Sequence, residues 1–115
     1  MKYEKIIYEK DGNIGRITLN YPEKLNTWDF PGQGGMSDQF DGALKEAVDD
    51  DDIKVVVIKG AGRCLSAGHD LTKVGFVYGM GTGKTGERRA SQRARLKVDH
   101  KFIAEHLQNI FLCPK

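Results

Sequence analysis

The chain has 115 residues, 39% of them hydrophobic and 30% charged, with a formal net charge of +2. That length allows one domain at most, and the near-neutral balance excludes a polycation built to hold nucleic acid. The longest apolar runs, such as Val55 to Ile58, are too short for a membrane span, and no apolar stretch of signal-peptide type follows Met1 to Lys5. Cys64 and Cys113 stand in no CxxC pair or His/Cys cluster. They read as reduced thiols of a cytoplasmic protein.

Tyr3 to Tyr8 and Ile14 to Leu19 carry apolar residues alternating with polar ones, on either side of Asp11-Gly12-Asn13. This is the pattern of a β-hairpin. Pro22 ends the second strand, because proline cannot donate to a ladder. From Met36 to Val48 the residues Met36, Phe40, Ala43, Leu44, Ala47 and Val48 recur every three or four positions, which predicts an amphipathic helix starting near Ser37 or the Gly34-Gly35 pair. Asp49 to Asp52 are expected to be exposed and to end that helix, since four carboxylates oppose its dipole there. Ile53 to Lys59 (IKVVVIK) is short, β-branched and bounded by glycines, and it predicts a buried central strand.

Thr72 to Gly86 holds five of the 14 glycines without periodicity, and residues 72–90 are expected to form a flexible loop. Within it, Gly81 to Gly86 matches GxGxxG, and Gly83-Lys84-Thr85 matches the tail of a P-loop. The P-loop's earlier glycine is replaced by Tyr78, and no strand leads directly into this stretch, so nucleotide binding is not expected. A last helix begins at Ser91. Its apolar face is expected to comprise Leu96, Ile103, Leu107, Ile110 and Phe111, and Pro114 ends it. Between Lys84 and Lys101, seven basic residues face only Glu87 and Asp99, as on a solvated helix face or a patch for a phosphorylated ligand. His69, His100 and His106 show no metal-binding spacing.

Chemistry concentrates after the VVVI strand, in Gly60-Ala61-Gly62-Arg63-Cys64-Leu65-Ser66-Ala67-Gly68-His69-Asp70-Leu71. Small residues at Ser66, Ala67 and Gly68 let a ligand approach the backbone, and N–H groups at a strand end can stabilise an oxygen that gains charge. A plain glycine-rich strand-to-helix connection fits the same residues.

The segment SAGHDL, placed after VVVIKG, resembles the S/A-A-G-x-D-L stretch of the crotonase (enoyl-CoA hydratase/isomerase) family. Leu19 to Thr27 (LNYPEKLNT) resembles the same family's LNRPEKxNAL turn about forty residues earlier. The resemblance implies an α/β fold, the first half of a crotonase-like spiral of ββα units with a terminal helix. It makes residues 1–115 the N-terminal part of one such domain.

At matching positions, the resemblance implies that the backbone N–H of Ala67 is an oxyanion-hole donor to a thioester carbonyl. Lys24, Leu25, Ser66, Ala67, Gly68, His69, Asp70 and Leu71 would border coenzyme A and substrate, with Lys24 toward phosphate and Asp70 holding the loop. His69 stands at the family's freely varying position. Thr27-Trp28-Asp29-Phe30 departs from the usual small apolar continuation, and no carboxylate here matches the family's acid and base.

The implied reaction of the complete enzyme is hydration of trans-2-enoyl-CoA, the 115 residues alone being inactive. Isomerisation, thioester hydrolysis and C–C cleavage are alternatives on the same scaffold, as is a non-catalytic CoA-ester-binding or interaction module. The resemblance implies no cofactor beyond the coenzyme A of the substrate, no nucleic-acid or membrane partner, and a homo-oligomer (a trimer or a dimer of trimers).

Overall fold

The computed structural model describes residues 3–29, 32, 34–70 and 92–115. Its first element is the expected hairpin. β1 (Ile6–Asp11) runs antiparallel to β2 (Ile14–Leu19), with Ile6 opposite Leu19 and Asp11 opposite Ile14. Gly12, at φ +58°, makes the tight reversal. β1 begins at Ile6, later than the sequence pattern suggests. The N–H groups of Glu4 and Lys5 are instead taken by the side-chain oxygen of Gln39, at 3.0 and 2.7 Å.

α1 (Met36–Asp49) comes next and lies on the sheet with Met36, Phe40, Ala43, Leu44 and Ala47 buried against Ile6, Ile17 and Leu19. Its start is held from a distance. The carboxylate of Asp29 accepts the N–H of Met36 (3.2 Å) and of Ser37 (3.0 Å), and the Ser37 hydroxyl donates to both the Asp29 carboxylate and its carbonyl. A Cβ on Gly35 would stand 1.5 Å from an Asp29 carboxylate oxygen, so only glycine fits there. At the other end, Lys115 donates to the carbonyls of Ala47 (3.0 Å) and Asp50 (2.6 Å), placing a cation where the helix dipole favours it. The acidic run is largely exposed, as expected, and Asp50 and Asp52 both accept from the Lys10 ammonium, at 2.8 and 3.0 Å.

β3 (Val55–Gly60) runs parallel to β2, giving the order β1-β2-β3. The expectation of a buried central strand is corrected: β3 is an edge of the described sheet, and Val55, Val57 and Ile58 are exposed. α1, the helix that covers this sheet, sits over β1 and β2. Composition identifies a sheet strand without saying whether a second layer reaches it.

The terminal helix comprises α2 (Gln92–His100), a π-helical stretch (Lys101–Leu107) and a short α3 (Gln108–Phe111). Leu96, Ile103, Leu107, Ile110 and Phe111, the residues expected to pack inward, are all exposed. Within Lys101–Leu107 the buried residue is instead His106. No helix among the described residues is long and apolar enough to cross a membrane. The expected loop at 72–90, its GxGxxG stretch and Leu71 lie outside the described residues.

Candidate functional site

The turn that ends β2 builds the floor of the site. Pro22–Lys24 form one 3₁₀ turn, and the next two residues, Leu25 (φ +55°) and Asn26 (φ +53°), are both left-handed. Asparagine tolerates that conformation and adds a side chain able to make several hydrogen bonds. Asn26 is fully buried. Its carbonyl oxygen accepts the N–H of Tyr21 (2.7 Å), and its amide donates to the carbonyls of Ala61 (2.9 Å) and Cys64 (3.1 Å). One side chain thus joins the PEKLN turn to the loop after β3. Gly60 makes that loop possible, because a Cβ there would meet the Cys64 carbonyl oxygen at 2.4 Å.

Ser66 to Asp70 then lies alongside Leu25 to Trp28 like a short ladder. The Ser66 hydroxyl donates to the Asn26 carbonyl (2.7 Å) and accepts the Gly68 N–H (3.1 Å). Trp28 N–H donates to the Gly68 carbonyl (2.8 Å), and Asp70 N–H donates to the Trp28 carbonyl (2.9 Å), with Trp28 and His69 forming a parallel bridge.

This ladder corrects the assignment of Ala67. Its N–H donates to the Leu25 carbonyl at 2.9 Å, so the chain itself occupies the donor that a thioester oxygen would need. The next peptide is oriented differently. In a trans peptide the C=O and N–H point in opposite directions, and no peptide here is cis. The Gly68 carbonyl points at Trp28, so the N–H of His69 points away from it.

Ser66, Gly68 and His69 line a cavity of about 230 Å³ together with Trp28, Phe102, His106, Leu107 and Ile110. Rings continue across it: His69 and Phe102 lie 5.1 Å apart between centroids, Phe102 and His106 5.3 Å, and His106 and Trp28 5.3 Å. Ala67, Asp70, Lys24 and Leu25 are not among its lining residues, and Lys24 is exposed on the turn. Among the described residues, no carboxylate lines the cavity either. A larger hollow of about 560 Å³ lies between α1 and residues 104–114, lined by none of the residues Ser66 to Asp70.

Trp28, Phe102 and His106 were not anticipated as site residues. The signal available for Trp28 was its departure from the small apolar residues of similar sequences. His106 offered none, because its partners are far away in sequence.

Comparison with known proteins places this geometry. A probable enoyl-CoA hydratase of Mycobacterium tuberculosis is 34% identical over 74 residues, which cover 64% of this chain and 27% of that protein. The crystal structure of an enoyl-CoA hydratase/isomerase from Xanthobacter autotrophicus superposes with a TM-score of 0.56 at 39% identity, over 62% of this chain and 25% of the other. The structure of a crotonase-type protein from Legionella pneumophila gives a TM-score of 0.74 over 96% of this chain and 37% of the other; at 23% identity it speaks to the fold alone. The chain therefore spans roughly a quarter to a third of the length of these relatives. The mixed α/β architecture with its terminal helix is that of the crotonase fold. Residues 14–106, from the start of β2 through the cavity wall at His106, match the enoyl-CoA hydratase/isomerase family, and the chain belongs to that family.

Proposed function

We propose that Ser66 to His69 receive the thioester of an acyl-CoA, and that the whole protein hydrates trans-2-enoyl-CoA. The observation carrying this reading is the hydrogen-bonded seam between Leu25–Trp28 and Ser66–Asp70, which fixes a strand end so that the His69 N–H is turned away from Trp28. In place of the Ala67 N–H, the N–H of His69 is the donor this segment directs at the thioester oxygen. Addition of water to the enoyl double bond drives negative charge onto that oxygen, and a rigid donor stabilises the charge without reorganising. The aromatic cavity takes the acyl group, and Lys24, exposed on the neighbouring turn, is positioned for a phosphate of coenzyme A.

Hydration also needs an acid and a base to divide water across the double bond. Among the described residues no carboxylate lines the cavity, and neither role is assigned to any of them. The resident cofactor set is empty in this reading, and coenzyme A enters as part of the substrate.

The test uses the full-length protein and crotonyl-CoA, following loss of the enoyl-thioester absorbance. A semisynthetic protein in which an ester oxygen replaces the His69 N–H should lose about 100- to 1000-fold in kcat, the usual effect of deleting one oxyanion donor. Unchanged kcat in the folded ester variant would remove the donor from His69. Failure of the wild-type protein to bind or turn over any acyl-CoA would overturn the functional reading itself.

A further inference from the structure

One chain of side chains at the cavity is absorbed by none of the roles above. Trp28 Nε1 lies 2.7 Å from His106 Nε2, and His106 Nδ1 lies 2.8 Å from an Asp41 carboxylate oxygen. An indole nitrogen only donates, so His106 Nε2 must present its lone pair. The ring proton then sits on Nδ1, directed at Asp41. This network fixes the tautomer of His106, because Nε2 is the acceptor for the Trp28 indole. The imidazole is 1% exposed, so water does not offer it alternative partners.

The three residues come from three separate elements. Asp41 is on α1, Trp28 is in the ladder that pairs with Gly68 and Asp70, and His106 lies in the π-helical stretch. Such π-helical turns are rare and occur often at functional sites. Trp28 and His106 both line the cavity, and the indole also packs edge-on against Phe40 at 5.3 Å.

We propose that Asp41, His106 and Trp28 form a positioning relay that sets the acyl wall of the site. Asp41 orients the imidazole, His106 Nε2 holds the indole plane, and the indole fixes the wall facing Ser66, Gly68 and His69. The relay's existence stands on the hydrogen bonds alone. Its effect on acyl groups rests on the functional reading above.

Among the described residues, the charged groups around His106 are few. Asp41 touches it from α1, and His69 faces it across the Phe102 ring. Asp29 follows Trp28 in the turn, and Lys101 and Glu105 are exposed on its own helix. Glutamine at position 106 supplies an acceptor for Trp28 and a donor for Asp41.

Trp28 is the single tryptophan of the 115 residues, and the signal missing from a Trp28→Phe variant identifies its indole N–H proton by NMR in the full-length protein. In the full-length protein labelled at tryptophan, that resonance should lie downfield of an unbonded indole. His106→Gln should keep the downfield position, and His106→Leu should lose it. An indole resonance indifferent to His106→Leu would overturn the relay.

In the second arm, His106→Leu should change the ratio of kcat/KM between a short and a long enoyl-CoA by about 10-fold, a typical effect of reshaping an apolar pocket. His106→Gln should restore that ratio. A wild-type ratio in a folded His106→Leu protein with a free indole would refute the positioning role. Absence of turnover in the wild-type protein would defeat the functional reading, while the indole measurements would still decide the relay.

Discussion

α1 and the terminal run 92–111 are both helical and both carry apolar residues at three- and four-residue spacing, yet they are held by opposite means. α1 presses Met36, Phe40, Ala43, Leu44 and Ala47 into the sheet, each at most 4% exposed. The terminal run leaves Leu96, Ile103 and Phe111 at 62%, 56% and 82% exposure, and its buried anchor in Lys101–Leu107 is the polar His106. Burial of apolar surface is non-directional and tolerates small displacements, whereas two hydrogen bonds under 3 Å fix an orientation. The first helix is therefore the source of stability, and the terminal run is the element whose placement depends on a few specific contacts.

The sharpest way to break this contrast is to truncate one ring in each helix. Phe40→Ala should cost about 4 kcal/mol, as for other fully buried aromatic side chains. Phe111→Ala should change stability by less than about 0.5 kcal/mol. Denaturant unfolding of the two variants measures both, and comparable losses would show that the terminal run carries its own core.

Asn26→Ala should cost about 3 kcal/mol, because it leaves the Tyr21 N–H and the carbonyls of Ala61 and Cys64 without the partner they have in the folded chain. Chemical denaturation reads the loss, and Asn26→Gly, which keeps the left-handed backbone but not the bonds, should recover little of it. Removing the remote cap by Asp29→Ala should cost about 1 to 2 kcal/mol, as cap deletions do. The effect should appear as faster hydrogen exchange at Met36 and Ser37.

The smallest expected effect belongs to the Lys10 cluster. Hydrogen bonds to Asp50 and Asp52 push the Lys10 ammonium up to about 12, and the same contact with Lys10 holds the Asp50 carboxyl below its ordinary value. A raised lysine contributes its stabilisation fully below its unfolded value and loses it as pH rises toward 12; a lowered aspartate contributes above its unfolded value and loses it as pH falls. The cluster should therefore act between about pH 4 and 10.5, the unfolded ranges of the two groups. Thermal melts of Lys10→Met should lose part of the wild-type decline at both extremes, and added salt should narrow the difference between the proteins.

Local chemistry made much of this legible from the sequence. The hairpin around Gly12, the span of α1 and the existence of β3 follow from turn residues and periodicity within a few positions. The two motifs that meet at the site were also readable, because Leu19 to Thr27 and Ser66 to Leu71 each carry their own pattern. The contacts that join them were not. Asn26 reaches residues 35 and 38 positions away, and His106 reaches Trp28 and Asp41 across 78 and 65 positions. Such pairings leave no local period. The direction of the Ala67 N–H is likewise set by a partner in another segment, the Leu25 carbonyl. β3 shows the same limit for burial: valine and isoleucine report a preference for sheet, while the layer covering them is decided elsewhere in the fold.

That open strand has a consequence for how the chain behaves in company. Val55, Val57 and Ile58 stand exposed on an edge whose far side has no partner strand among the described residues. A flat, β-branched edge of this kind templates pairing with a second chain. Lys54 precedes the strand and Lys59 lies near its end, and both are exposed. Their charges serve as gatekeepers, since a second copy adding in antiparallel register would bring like charges together. These two lysines, which contribute to neither the core nor the site, disfavour such pairing.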